Sequence, residues 1–180
     1  IAQYSLGESG EFQPTRMNAF LWGNGAGAVI VSKSSERNIR DFRAEATKMF
    51  MRDAFGFGDT LNGESFCSLD GSAIYKFSQR EVFNFMRDYT EKSASSEDHI
   101  VPHQPQPRML RGLQKRLNIP DEKMHISCDT LGNMIGASLP VTYHLARKSG
   151  RIKPGESVTL CAFGDSYLQT AALRFTEVGK

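Results

Sequence analysis

Between residues 70 and 117 the hydrophobic period changes twice, and that change limits the folds open to this chain. Ile74, Phe77, Val82, Phe85, Met86 and Tyr89 recur at helical spacing and predict one helix over residues 70–92, with Asp70 as N-cap and Ser93 to Ser96 beyond its end. His99-Ile100-Val101 then reads as a short buried strand. Gln106 to Leu117 returns to helical spacing, with Met109, Leu110, Leu113 and Leu117 on one face. A buried strand between two amphipathic helices needs helices packed against a sheet, which is an α/β arrangement.

The flanking segments extend the pattern. Ala28 to Val31 reads as a strand, residues 37–48 as a second, and Met124 to Cys128 as another. A third helix is expected from Gly132-Asn133 to about Lys148, closed by Gly150. Pro154-Gly155 makes a turn, and Ser157 to Phe163 with Tyr167 to Phe175 form a terminal hairpin around Gly164. Residues 49–64, rich in Phe and Gly, read as a covering loop. The expected whole is a mixed sheet with helices on its faces.

Gly23, Gly25 and Gly27 give G-x-G-x-G, but a strand rather than a helix is expected to follow, so this is no dinucleotide fingerprint. Such glycines instead mark close backbone approach or a bulge. The formal charge of +2 gives no global reason to expect nucleic-acid binding, and no apolar run reaches transmembrane length. The first residues, Ile1 to Ser5, lack an initiator Met and read as a cut end rather than a targeting segment. Cys67, Cys128 and Cys161 are widely spaced, with no CxxC pair. They read as reduced, mostly buried thiols of a cytoplasmic protein, with no metal site.

Three loops gather polar or glycine groups at strand ends, where α/β sheets bind ligands. They are His103, Gly132-Asn133, and Phe163-Gly164-Asp165-Ser166. A histidine and an asparagine converging there supply two neutral or switchable donors for a developing oxyanion. His99, His125 and His144 read as structural. Arg108, Arg111, Lys115 and Arg116 read most simply as a solvated helix face.

The ordered segments DHIVPHQPQPRML, LGNMIGAS, GRIKPGESVTLCAFGDS and AALRF resemble the C-terminal half of the β-ketoacyl-acyl-carrier-protein synthase III family, condensing enzymes of the thiolase superfamily. LWGNGAGAVIV is similar to its glycine-rich strand, and LDGSAIYKFSQREV to the start of its following helix. The resemblance runs from about Phe20 to Phe175. It implies half of a thiolase-like layered sandwich, with residues 1–180 as one C-terminal half-domain. It also implies that His103 and Asn133 hold the thioester carbonyl of a malonyl-carrier substrate while carbon dioxide leaves. The acyl group would sit on a cysteine in an N-terminal half absent from this chain, so the chain alone is expected to be inactive. Acyl-CoA and malonyl-acyl carrier protein would be substrates, with no resident cofactor, and the protein would act as a homodimer without nucleic acid or membrane.

Further roles follow from the same resemblance. Phe163, Gly164 and Asp165 would line the oxyanion site or acyl pocket. Gln106 would meet the pantetheine arm, and Arg108 would dock the acidic carrier protein. Pro105-Gln106, Met134-Ile135 and Asp165-Ser166 depart from the family pattern and mark a divergent member. Other readings are a plant-type polyketide synthase, disfavoured by His103-Gln104-Pro105-Gln106, a same-fold acyltransferase, and a non-catalytic partner subunit.

Overall fold

The structure is a computed structural model that describes residues 22–30, 39–46, 55–59, 65–69, 71–92, 99–164 and 169–178. Strands β1 (Ile39–Ala46), β4 (His99–Pro102), β5 (Ser157–Gly164) and β6 (Gln169–Thr176) form one sheet in the order β1-β6-β5-β4. β4 runs parallel to β5, while β5-β6 and β6-β1 are antiparallel, so the sheet is mixed as expected. Strands β2 (Phe55–Asp59) and β3 (Ser65–Leu69) pair antiparallel as a separate two-stranded unit.

Alternation along the strands loads both faces of the large sheet. Ile100, Cys161, Phe163 and Ala172 join a cluster with Phe77, Val82, Phe85, Met86, Met109, Leu110 and Leu113. These helical residues come from α1 (Gly71–Phe77), α2 (Phe83–Lys92), the π-helical stretch Ser78–Val82 between them, and α3 (Pro107–Arg116). Val101 and Val158 point the other way and pack with Ala146 of α5 (Ser138–Lys148), together with Ile152, Leu160 and Phe175. Burying each large apolar side chain contributes about 1.5–3 kcal/mol, so α3 is secured by Met109, Leu110 and Leu113. Pro107 starts α3 where its missing N–H costs nothing. Gly150 closes α5 at φ 73°, with its N–H on the Arg147 carbonyl and the Arg151 N–H on that of Ala146.

Several expectations change. The helix over 70–92 is interrupted by one π-helical stretch, and Asp70 and Ser93 to Ser96 lie outside the described residues. The covering loop at 49–64 instead contributes β2, whose partner β3 follows it. Ala28 to Val31 is no strand as far as Ile30, and Val31 is outside the described residues. Strand propensity needs a ladder partner, and within residues 22–30 only Trp22 makes a bridge, to Asn133. Val29 and Ile30 are 65% and 94% exposed.

Met124 to Cys128 also fails as a strand. Met124 makes a single bridge to Ile100, and Cys128 begins α4 (Cys128–Leu131). The Ser127 and Cys128 N–H groups go to a side chain, Gln104, so no ladder continues. The third helix begins late: a 3₁₀ turn at Ile135–Ala137 precedes α5 at Ser138. No helix among the described residues is long and apolar enough to cross a membrane.

Candidate active site

His103 follows β4 directly, and its backbone N–H donates to the Cys161 carbonyl of β5 at 2.7 Å. This extends the parallel β4-β5 register by one residue and sets the imidazole beside the end of β5. There its ring meets Phe163 edge-on, with centroids 5.5 Å apart. Burial pushes the His103 pKa down to about 4, so the ring is neutral at pH 7. Neither ring nitrogen has a hydrogen-bond partner among the described residues. A neutral imidazole carries one N–H donor, which suits an oxygen gaining negative charge.

Gln104, which the sequence reading passed over, fixes this loop. Its side chain is fully buried. Its Nε2 donates to the carbonyls of Pro102 at 2.8 Å and His125 at 3.0 Å. Its Oε1 accepts from the backbone N–H groups of Ser127 at 2.8 Å and Cys128 at 3.2 Å. All four bonding positions of the carboxamide are thus used. One side chain ties the His103 loop to the segment leading into α4 and Asn133. A glutamine in a proline-spaced loop is a weak signal by itself, because three of its four partners lie 21 to 24 residues along the chain.

Asn133 sits in the turn between α4 and the 3₁₀ stretch and is 6% exposed. It does not cap α5. Its Oδ1 accepts the Ile135 N–H at 2.9 Å, a local turn just ahead of the 3₁₀ stretch, whose N-cap position is Met134. That bond orients the amide: with the oxygen engaged, the NH₂ end faces away from the turn as a donor. The Nδ2 has no partner among the described residues. Gly132 at φ 68° and Ile135 at φ 51° bracket this turn. A positive φ at a β-branched residue costs on the order of 1–3 kcal/mol, a strain that concentrates at working sites.

The glycine run lies on the same turn. The Gly23 N–H donates to the Asn133 carbonyl at 2.9 Å. A Cβ at Gly23 would fall 1.8 Å from the Leu131 carbonyl oxygen, and one at Gly27 2.5 Å from Pro140 Cγ. The G-x-G-x-G spacing is therefore close backbone approach, as the sequence implied.

The remaining candidates divide. Phe163 is buried against His103, and Gly164 ends β5 at φ 147°, a conformation that favours glycine. Asp165 and Ser166 lie outside the described residues. Gln106 occupies the N-cap position of α3 in an extended conformation, without a side-chain cap bond. Arg108 is exposed on the first turn of α3. Arg116 is no plain solvated charge: its guanidinium lies 3.7 Å from the Phe83 ring centroid and bonds to the Gln79 carbonyl. Arg111 pairs with Asp129 at 3.2 Å.

The other buried polar groups are structural. His99 Nε2 faces Glu156 at 3.1 Å, and His99 Nδ1 meets His125 Nε2 at 3.1 Å. Burial first, then nearby Lys123, lowers the His99 pKa. Burial pushes that of His125 down to about 3, with help from Arg151. Burial raises Cys128 to about 11 and Cys161 to about 12, which leaves both as inert thiols. Cys128 opens α4 and is not the strand residue expected, while Cys161 lies in β5.

Known proteins give this geometry a family. Residues 88–174 match the family described as 3-oxoacyl-[acyl-carrier-protein (ACP)] synthase III C terminal. A β-ketoacyl-[acyl-carrier-protein] synthase III of Bordetella petrii is 32% identical over 160 residues, covering 84% of this chain and 48% of that protein. One from Aquifex aeolicus is 28% identical over 163 residues, covering 88% and 51%. The crystal structure of a synthase III from Thermus thermophilus superposes with a TM-score of 0.70 at 28% identity, over 83% of this chain and 50% of that one. The chain spans about half the length of the curated relatives it matches. Residues 88–174 are similar to the C-terminal domain of the synthase III family, and the chain shares the thiolase-like α/β fold of these relatives.

Proposed function

We propose that this synthase III C-terminal domain supplies the donor pair of a decarboxylating condensing enzyme, with His103 and Asn133 holding the thioester oxygen of a malonyl-carrier substrate. The observation that carries the reading is the state of the two donors. His103 is kept neutral by burial against Phe163, and Asn133 has its oxygen committed to the Ile135 N–H. In this reaction the bond to the malonyl carboxylate breaks and carbon dioxide leaves. Its electron pair moves into an enolate whose oxygen the two N–H groups stabilise. The enolate carbon then bonds to an acyl carbon held on a cysteine, and the thiolate departs. Cys128 and Cys161 are buried with raised pKa values and are not proposed for that role.

Acyl-CoA and an acyl carrier protein are the proposed partners, in a cytoplasmic homodimer of use to fatty acid or polyketide synthesis. Arg108 is the proposed docking residue for the acidic carrier. It is exposed, whereas Arg116 and Arg111 are engaged within the domain. Gln106, at the start of the same helix, is proposed to meet the pantetheine arm. Phe163, Gly164 and Asp165 are proposed to line the acyl or oxyanion site.

The complete protein, given acyl-CoA and malonyl-carrier protein, should release carbon dioxide and form a β-ketoacyl product. His103→Ala and Asn133→Ala should each lower that rate by about 10²–10³-fold, as loss of an oxyanion donor does, while acyl loading continues. The 180-residue chain alone should be inactive. Acyl transfer to an alcohol or amine with no carbon dioxide would favour the same-fold acyltransferase reading, to which the carboxylate of Asp165 lends support. Loading that fails altogether in the complete protein would favour a non-catalytic partner subunit. Arg108→Glu should weaken carrier binding and flatten its salt dependence.

A further inference from the structure

We infer that Gly25 and Met134 form a steric pair that aims the Asn133 amide, which makes both positioning residues for the malonyl step; the inference rests on the function proposed above. A Cβ at Gly23, Gly25 or Gly27 would fall against Leu131, Met134 or Pro140 respectively, so these glycines present a face without side chains to the stretch from Leu131 to Pro140. Met134, one residue past Asn133, fills that face. A methyl group at Gly25 would lie 2.4 Å from its Sδ, 3.1 Å from its Cγ and 3.3 Å from its Cβ. The same turn is pinned by the Gly23 N–H on the Asn133 carbonyl and by the Ile135 N–H on Asn133 Oδ1. Met134 is 6% exposed, so a displaced side chain has little free space to enter.

The three glycines are not equivalent. At Gly23 the obstruction is a backbone oxygen of Leu131, which no side-chain change can remove. At Gly25 it is a thioether, which a smaller residue at 134 would withdraw. The bulk of Met134 is accommodated here because position 25 offers no Cβ. Added volume at 25 must turn Met134, and the adjoining Asn133 peptide turns with it.

The test measures two half-reactions of the complete protein: acylation of its nucleophile, and decarboxylation of a malonyl-carrier thioester. Gly25→Ala should slow decarboxylation about 10- to 100-fold, the scale expected of a misplaced group, and leave acylation unchanged. Adding Met134→Ala to Gly25→Ala should restore decarboxylation to near the level of Met134→Ala alone, because the two changes share one contact. Met134→Ala should not restore a Gly23→Ala variant. If Gly25→Ala does not fold, Met134→Ala in the native background is read instead; it should lower decarboxylation and spare acylation. Equal loss of both half-reactions, no loss in Gly25→Ala, or no rescue by the double variant would overturn the inference. A native protein that acylates but never decarboxylates would instead overturn the functional reading.

Discussion

The loop carrying His103 is held by saturated polar groups, whereas the turn carrying Asn133 is held by missing side chains. His103 continues a paired strand, and the adjacent Gln104 uses every hydrogen-bonding position of its carboxamide. Asn133 lies in irregular backbone between two positive-φ residues, under a glycine face that nothing larger could occupy. The two constructions differ in how they fail. A polar network loses stability when one partner leaves, because the others stay buried without bonds. A steric contact fails when volume is added, and its first consequence is misalignment.

The most damaging way to break this contrast is Gln104→Leu. It strands two carbonyls and two N–H groups, and it should cost about 3–5 kcal/mol in a urea titration, given roughly 1–3 kcal/mol for each unsatisfied buried group with partial relaxation. Gly23→Ala should cost less, about 2–3 kcal/mol by the same titration, because overpacking relaxes by backbone shift. If Gly23→Ala proved neutral, the close approach to Leu131 would not constrain the turn.

Acid should sharpen the contrast, because only the first region is built around buried histidines. His103 and His125 have folded pKa values of about 4 and about 3, below the unfolded value of 6.5. The unfolded chain therefore binds more protons below pH 6.5. Stability is fully present above that pH and is lost as pH falls through 6.5 toward 4 and 3. Glu156, held low first by the Lys153 N–H, loses its contribution to stability in the same direction on further acidification. Urea midpoints between pH 7 and pH 4 should fall accordingly, and His103→Gln should reduce the slope. A flat profile would mean the imidazole is not desolvated.

The smallest effects lie on α3. Arg116→Ala should cost about 1 kcal/mol, because the guanidinium covers Phe83. Arg108→Ala should stay within about 0.5 kcal/mol, since it is exposed. Thermal unfolding of the two variants separates a packing role from a surface one.

What the sequence disclosed follows the same divide. The α3 stripe of Met109, Leu110 and Leu113 and the β5-β6 hairpin were legible because one segment's own pattern decides them. The position of His103 after a buried strand was legible for that reason too. The β2-β3 hairpin was not, because Phe-Gly alternation lacks the β-branched residues that announce strands. Val29-Ile30 read as a strand because propensity says nothing of a partner. The roles of Gln104 and Met134 depend on atoms more than 20 and more than 100 residues away, as Ser127 is from Gln104 and Gly25 from Met134. No local pattern reports such contacts. The glycine spacing did report that something approaches closely, though not what.

The central claim is that His103 and Asn133 act as two neutral donors on one oxygen. The most direct measurement is a nitrogen NMR titration of the complete protein with a malonyl thioester analogue that cannot lose carbon dioxide. The account predicts a neutral His103 ring at pH 7, titrating near 4, whose N–H signal shifts together with the Asn133 side-chain amide as the analogue binds. A charged His103 at pH 7, or a shift at one residue without the other, would contradict it.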